Sequence, residues 1–288
     1  MRKFLALTLA FLIIAFHTAI LSQIALSKPS GYFTEADGEV FDEWGICRTS
    51  AFGSRGYFRV VEVNGEVDFK PIIAYESLGK LADIAYQLGE EFAEKYSDKY
   101  QLAEAVFDYV KQHVRYTPDV DQFNYGEFAL NADELAKALV ERGIGYGDCE
   151  DYALLLSIMF KGAGLRSAVV LAPGHAAALV YLPGYSKANV IWELNGEKGW
   201  VWAEATSRKN RLGWTPLEFV DCYLLAYEVV KGELKAMPQE KAAVMEVAEY
   251  RGGGSFHMPP FFTILFLMWF ISRLARGVRR RRLVYHYY

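Results

Sequence analysis

Cysteine and histidine are scarce in this chain, with three Cys and five His in 288 residues. No group of them stands at the close spacings that build a zinc centre, which excludes a thiolate–imidazole metal site. Three cysteines allow at most one disulfide and leave one thiol over. If the middle of the chain is extracytoplasmic, Cys47 and Cys222 are the pair that leaves Cys149 free, and two free buried thiols are the alternative. Acidic residues are missing from both ends: none precedes Lys28 and none follows Met258, whereas eight of the 31 Lys/Arg fall there. The span between therefore holds 23 bases against 35 acids, a balance that argues against nucleic acid as a partner. Internal repeats and low-complexity tracts are absent as well, which excludes a repeat array.

What stands at the ends is apolar and basic. Residues 4–26 run without a charge behind Arg2 and Lys3, long enough to span a membrane as an uncleaved anchor. Ala25-Leu26-Ser27 offers the rival reading, a signal-peptide cleavage site. Residues 252–272 also carry no charge, and their strongly apolar part is 260–271. Six arginines follow, Arg273, Arg276 and Arg279 to Arg282, as expected beside a cytoplasmic membrane face. The expected layout is an anchor or signal peptide at 1–27, a transmembrane segment at 252–274 and a basic tail at 275–288. Both termini are then cytoplasmic, and the acidic middle faces outward.

Between these segments, 288 residues suffice for one sizeable core with short additions. Residues 57–63 and 67–74 read as strands. Residues 77–96 place Leu78, Leu81, Ile84, Ala85, Leu88 and Phe92 at helical spacing, and residues 102–114 and 131–142 repeat the pattern. Residues 166–172, 176–182, 190–194 and 200–204 read as strands, separated by turns at Pro183-Gly184 and Asn195-Gly196. Residues 242–250 read as a helix, followed by the flexible joint 251–255. Helices followed by antiparallel strands make an α+β order.

The most informative residue is Cys149. It lies in Gly147-Asp148-Cys149-Glu150-Asp151, directly ahead of the apolar run 154–160, so the thiol opens a buried helix. A helix N-terminus favours a thiolate. Downstream, Gly174-His175 opens one predicted strand and Glu204 ends another. Cysteine, histidine and carboxylate in that order suit a nucleophile, its base and an orienting acid. The other histidines are poorly placed: His17 lies in the first apolar segment, His257 ahead of the second, His286 in the tail and His113 on a helix. Asp148, Glu150 and Asp151 admit two readings, a helix cap with dipole-complementing acids or an oxygen-donor site for a hard cation. The backbone N–H of Cys149 is one oxyanion donor; Tyr116, Gln122, Asn124 and Asn131 are open candidates for the second.

These residues resemble the transglutaminase-like branch of the papain-like cysteine enzymes, over about residues 103–206. Phe107-Asp108-Tyr109-Val110 leading to Arg115-Tyr116 resembles the family's helix and Tyr-containing turn. Gly147-Asp148-Cys149 with Ala153 is similar to the nucleophile motif, and Ala163-Gly164-Leu165-Arg166 to the turn after it. Gly199-Trp200-Val201 with Glu204 and Thr206 lines up with a Gly-Trp-Val … Asp-Pro-Thr motif. Glu204 stands where the family has Asp, Ala205 where it has Pro, and His175-Ala176 lacks a Trp that often follows. The resemblance implies a papain-like/transglutaminase-core fold, helices packed on an antiparallel sheet, flanked here by two membrane segments. It divides the middle into an extension at 28–100, a catalytic core at 101–206 and a remainder at 207–251. It further implies Cys149, His175 and Glu204 as the catalytic set of a membrane-anchored hydrolase acting through an acyl-thioester on an external protein or peptide. A cross-linking acyltransferase and a catalytically silent peptide-binding domain are the alternatives. No cofactor is required on this reading, but periplasmic relatives with the same acidic pattern use calcium, which implies Asp148, Glu150 and Asp151 as ligands.

Overall fold

The computed structural model describes residues 31–63, 66–71, 84–229 and 243–251 of the chain. Residues 59–63 and 66–71 are described by their backbone. The apolar segments at 4–26 and 252–272 lie outside these residues. Among the described residues no helix is long and apolar enough to cross a membrane.

Five strands come first: β1 (Phe33–Ala36), β2 (Glu39–Asp42), β3 (Cys47–Gly53), β4 (Gly56–Val63) and β5 (Glu66–Pro71), paired in that order. Then come α1 (Ile84–Lys95), α2 (Lys99–His113), the short β6 (Val114–Tyr116) and α3 (Asp119–Phe123). They are followed by α4 (Ala132–Arg142), β7 (Gly145–Gly147) and α5 (Cys149–Gly162). Strands β8 (Ser167–Ala172), β9 (His175–Tyr181), β10 (Val190–Leu194), β11 (Glu197–Ala203), β12 (Leu225–Glu228), β13 (Ala243–Val244) and β14 (Glu246–Tyr250) complete the chain. They form one antiparallel sheet in the order β13-β12-β8-β9-β11-β10-β14. The helices are thus preceded by a sheet of their own and followed by the larger one.

The helix α5 is the centre of the fold. Its residues 154–160 are apolar except for Ser157, and all of them are buried. Ser157 is satisfied locally: its hydroxyl donates to the carbonyls of Ala153 (2.7 Å) and Ala168 (3.1 Å), the second on β8. The helix α1 crosses α5 at backbone contact. A Cβ on Gly89 would stand 2.1 Å from the Met159 carbonyl oxygen, and one on Gly162 would stand 2.0 Å from that of Tyr86. Only residues without side chains permit that approach. The strand period of two sorts the sheet's residues between two cores. Val169, Leu171, Ala176, Ala178, Val180 and Val201 face α5. Val170, Ala177, Leu179, Trp200 and Trp202 face a second cluster on the opposite side.

One expectation is overturned, and one pair of open readings is decided. Within the predicted helix 242–250, residues 243–244 and 246–250 are strand, because β14 pairs with β10 through Val190↔Tyr250 and Trp192↔Val247, and this edge pairing satisfies backbone that a short, isolated helix would leave bare. Cys47 and Cys222 are free thiols. Cys47 sits on β3 against Glu39 and Thr49, whereas Cys222 donates to the Glu218 carbonyl at 2.9 Å.

The N-terminal sheet is locked to the helices by Arg48, a fully buried guanidinium on β3. It donates to Asp42 (2.8 Å), to Glu134 on α4 (2.8 Å) and to the Ala129 carbonyl (2.9 Å). Breaking one member of a buried ion pair strands the other. We therefore predict that Arg48→Ala lowers unfolding stability by about 3–5 kcal/mol, measured from the midpoint of chemical denaturation. An unchanged midpoint would mean that the sheet folds independently of the helices.

Candidate active site

The site forms where α5 begins and β9 begins. Cys149 is the first residue of α5 and is half-buried. Its turn is held by Asp151, whose carboxylate accepts from the backbone N–H of Asp148 (3.1 Å) and of Leu130 (2.8 Å). Gly147 makes room for that carboxylate: a Cβ there would lie 2.5 Å from an Asp151 oxygen. The Cys149 thiol donates to Glu150 at 3.2 Å, and the backbone N–H of Ala176, the residue after His175, donates to the sulfur. The nucleophile helix and the histidine strand therefore meet at the thiol.

His175 and Glu204 are brought together as the sequence order suggests. The His175 ring engages Glu204 through Nε2, and the second Glu204 oxygen accepts from the Thr206 hydroxyl. With Nε2–H donated to the carboxylate, Nδ1 is the imidazole nitrogen left with a lone pair. The ring lies flat on Phe219, 5.4 Å between centroids at an interplanar angle of 4°, and Phe219 stacks in turn on Trp202. This aromatic stack fixes the plane in which His175 works. An open cleft of about 910 Å³ reaches His175 and Glu204 and continues along the loop that follows Glu204.

The electrostatics of the thiol reverse the expectation drawn from its helix position. Burial, then Glu150 and Asp148, push the Cys149 thiol well above its ordinary value. The Ala176 N–H works the other way. Partial charges at a helix N-terminus do not outweigh carboxylates at contact distance in a desolvated setting.

Those carboxylates are more numerous than sequence spacing indicated. Asp119, on the first turn of α3, and Glu127 join Asp148, Glu150 and Asp151. One oxygen each from Asp119, Asp148 and Asp151 lie within 4.8 Å of one another, as do one each from Asp119, Glu127 and Glu150. Burial pushes Asp119 up to about 7, aided by the charge of Asp148, while the Phe128 N–H opposes the rise. Glu150 and Asp151 are also pushed well up, by burial first and then chiefly by Asp148 and its neighbours. Three buried oxygens of this group, Asp119 Oδ1, Asp148 Oδ1 and Glu150 Oε1, have no hydrogen-bond partner. An all-oxygen, anionic donor set with orphaned atoms fits a hard divalent cation such as calcium.

Tyr57 is a further residue the sequence did not mark. It reaches the cluster from β4, donating to Glu127 at 3.1 Å, and its pKa is raised by burial and then by Glu150, Glu127 and Cys149. No spacing rule links positions 57, 119 and 127 to 149; the fold alone assembles them. Of the four candidates for a second oxyanion donor, Asn131 is committed to capping α4. Asn124 closes α3 in the left-handed conformation. Gln122 lines a separate cavity of about 460 Å³. Tyr116 stands across from Gly147 in the β6–β7 pair, and its phenol is pushed up to about 12 by burial and by Cys149. His113 is turned away, with Nδ1 bonded to the Tyr109 carbonyl at 2.8 Å.

No curated protein matches the chain at a significant level. A family model does match residues 86–219, from the start of α1 to the Phe219 that carries the His175 ring. That model describes the Transglutaminase-like superfamily, so over this stretch the α+β domain is similar to a superfamily whose members are typically cysteine enzymes.

Proposed function

We propose that this protein is a membrane-anchored cysteine hydrolase that cleaves amide bonds of an external protein or peptide through an acyl-thioester. The observation that carries the reading is the His175–Glu204 pair at the mouth of the cleft, with the Cys149 sulfur against the neighbouring Ala176 N–H. In this mechanism His175 Nδ1 takes the thiol proton as Cys149 Sγ attacks the amide carbonyl carbon. The oxyanion is met by the Cys149 backbone N–H, which has no partner within the helix. The C–N bond breaks as His175 returns the proton to the leaving amine. Water then attacks the thioester carbonyl, giving one proton to His175; the C–S bond breaks and the sulfur leaves as thiolate or is reprotonated. Glu204 holds the imidazole in the Nε2–H tautomer throughout. Hydrolysis is favoured over amine transfer because the cleft beside His175 is open to water.

Calcium completes the proposal. Asp119, Asp148, Glu150 and Glu127 would hold the ion, with Asp151 bracing the turn, and its positive charge would offset the carboxylates that hold the thiol in its neutral form. The membrane attachment rests on the charge-free segment 4–26 behind Arg2 and Lys3, and on the segment 252–272 ahead of the arginine tail.

Four outcomes test this reading. With calcium present, iodoacetamide should alkylate Cys149 rapidly at neutral pH, and His175→Ala should slow the reaction about 100-fold. Glu204→Gln should cut turnover while leaving the melting temperature in place, with Glu204→Asp milder; alkylation indifferent to His175 would remove the catalytic role. Adding calcium after a chelator should raise the melting temperature by about 5 °C or more and speed alkylation of Cys149. Magnesium should substitute poorly, and Asp119→Asn should abolish both calcium responses. Superimposable melting curves with and without calcium would refute the ion site. A membrane-impermeant thiol or amine reagent on intact cells should modify residues of the middle domain and spare a cysteine or lysine, respectively, placed at position 283; the opposite pattern would invert the topology.

A further inference from the structure

The loop that follows the catalytic carboxylate is basic in an otherwise acidic domain. Residues 207–211 read Ser-Arg-Lys-Asn-Arg, and Arg208, Lys209 and Arg211 are all exposed. Lys209 and Arg211 line the same cleft as His175, with Trp214 and Phe219 as its apolar wall and Glu218 as the acid beside them. Nearby lysines are neutralised: Lys111 pairs with Asp108 and Lys187 with Glu104, each at 2.6 Å. Among the described residues, Arg208, Lys209 and Arg211 have no such acidic partner.

The cations are also held in place. The Asn210 N–H donates to the Ser207 carbonyl at 3.0 Å, and Lys111 donates to the Asn210 carbonyl at 3.2 Å. The Trp214 N–H donates to the Arg211 carbonyl at 3.1 Å, and the Gly213 N–H to that of Trp202 at 2.8 Å. Gly213 lies at φ +84°, pressed so closely on Ala188 that a Cβ would stand 2.8 Å from its Cα. A backbone tied at this many points presents its charges without a further backbone ordering cost on binding. Exposed cations on a convex surface are ordinarily solvated and worth little, but in a concave cleft the field of like charges is focused.

We propose that residues 207–211 recognise carboxylate side chains of the substrate, so that the peptide accepted by this cleft bears Asp or Glu close to the amide that Cys149 attacks. The proposal rests on the cysteine-enzyme reading of the site. Arg211 offers a planar fork that matches a carboxylate, and Lys209 and Arg208 add positive charge along the same edge. Trp214 and Phe219 accommodate the apolar stems of neighbouring residues. Glu218 sets a limit, since it repels a carboxylate placed at the Phe219 end of the cleft.

The test uses purified full-length protein in the presence of calcium, with three pools of decapeptides that are random except for a central Glu, Gln or Lys. Each pool is titrated as a protector of Cys149 against iodoacetamide, and each rate is divided by the same variant's rate without peptide. The Glu pool should protect at about tenfold lower concentration than the Gln pool, and the Lys pool should protect least. The advantage of Glu should shrink to about twofold at molar salt. The double variant Lys209→Glu/Arg211→Glu should reverse the order of the Glu and Lys pools. Equal protection by the Glu and Gln pools of the wild-type protein, at low and high salt alike, would overturn the proposal whether or not the variant folds. A native Cys149 no more reactive than a free model thiol would sink the cysteine-enzyme reading, and this proposal with it.

Discussion

One buried carboxylate governs the reactive end of this fold. Asp151 accepts hydrogen bonds from two backbone N–H groups, one in its own turn at Asp148 and one at Leu130 in the segment leading to α4. That pair of bonds fixes the direction in which the chain enters α5, and so where Cys149 points. It also requires Gly147, because any side chain there would occupy the space of the carboxylate. The rest of α5 is then held by apolar burial along its length and by the two glycine contacts with α1. A thiol presented in this way is positioned by the interior rather than by a loop, as the proposed reaction requires.

The same arrangement carries an electrostatic cost. Five carboxylates meet beside the thiol in overlapping groups, Asp119 with Asp148 and Asp151 and Asp119 with Glu127 and Glu150, and three of their buried oxygens have no partner. Desolvation and mutual repulsion hold several of them protonated more than free carboxyls, and hold the thiol neutral. A fold selected for stability alone would replace such a group with apolar side chains. Electrostatic strain of this kind is concentrated at functional sites more often than in packed cores, which supports the proposed role.

The N-terminal sheet bears on the site although it lies outside the family match at residues 86–219. It sends Tyr57 to Glu127 and Arg48 to α4, the helix capped by Asn131 just past Leu130. The ion pair and the tyrosine together connect β3 and β4 to the same segment that braces Asp151. The groups that act electrostatically on the thiol thus come from Tyr57 to Ala176, far apart along the chain.

The order of the candidate site residues along the chain was readable without coordinates. A thiol ahead of an apolar helical run, a histidine opening a strand and a carboxylate closing another are local patterns, and local patterns survive in sequence. The helices α2 and α4 and strands β8 to β11 were legible for the same reason, through their 3.6 and 2.0 periods. The strand β14 was not, because Ala-Val-Met-Glu-Val-Ala-Glu-Tyr suits either period and its pairing with β10 decides the matter. Nor were Asp119, Glu127, Tyr57 and Phe219, whose roles come from contacts between residues far apart in the chain. The sequence determined which side chains could do chemistry and at which element ends they stand. Tertiary packing alone decided how many carboxylates crowd the thiol, which nitrogen of His175 is left to serve it, and that the cations of residues 207–211 border its cleft, because each of these depends on distance through space rather than along the chain.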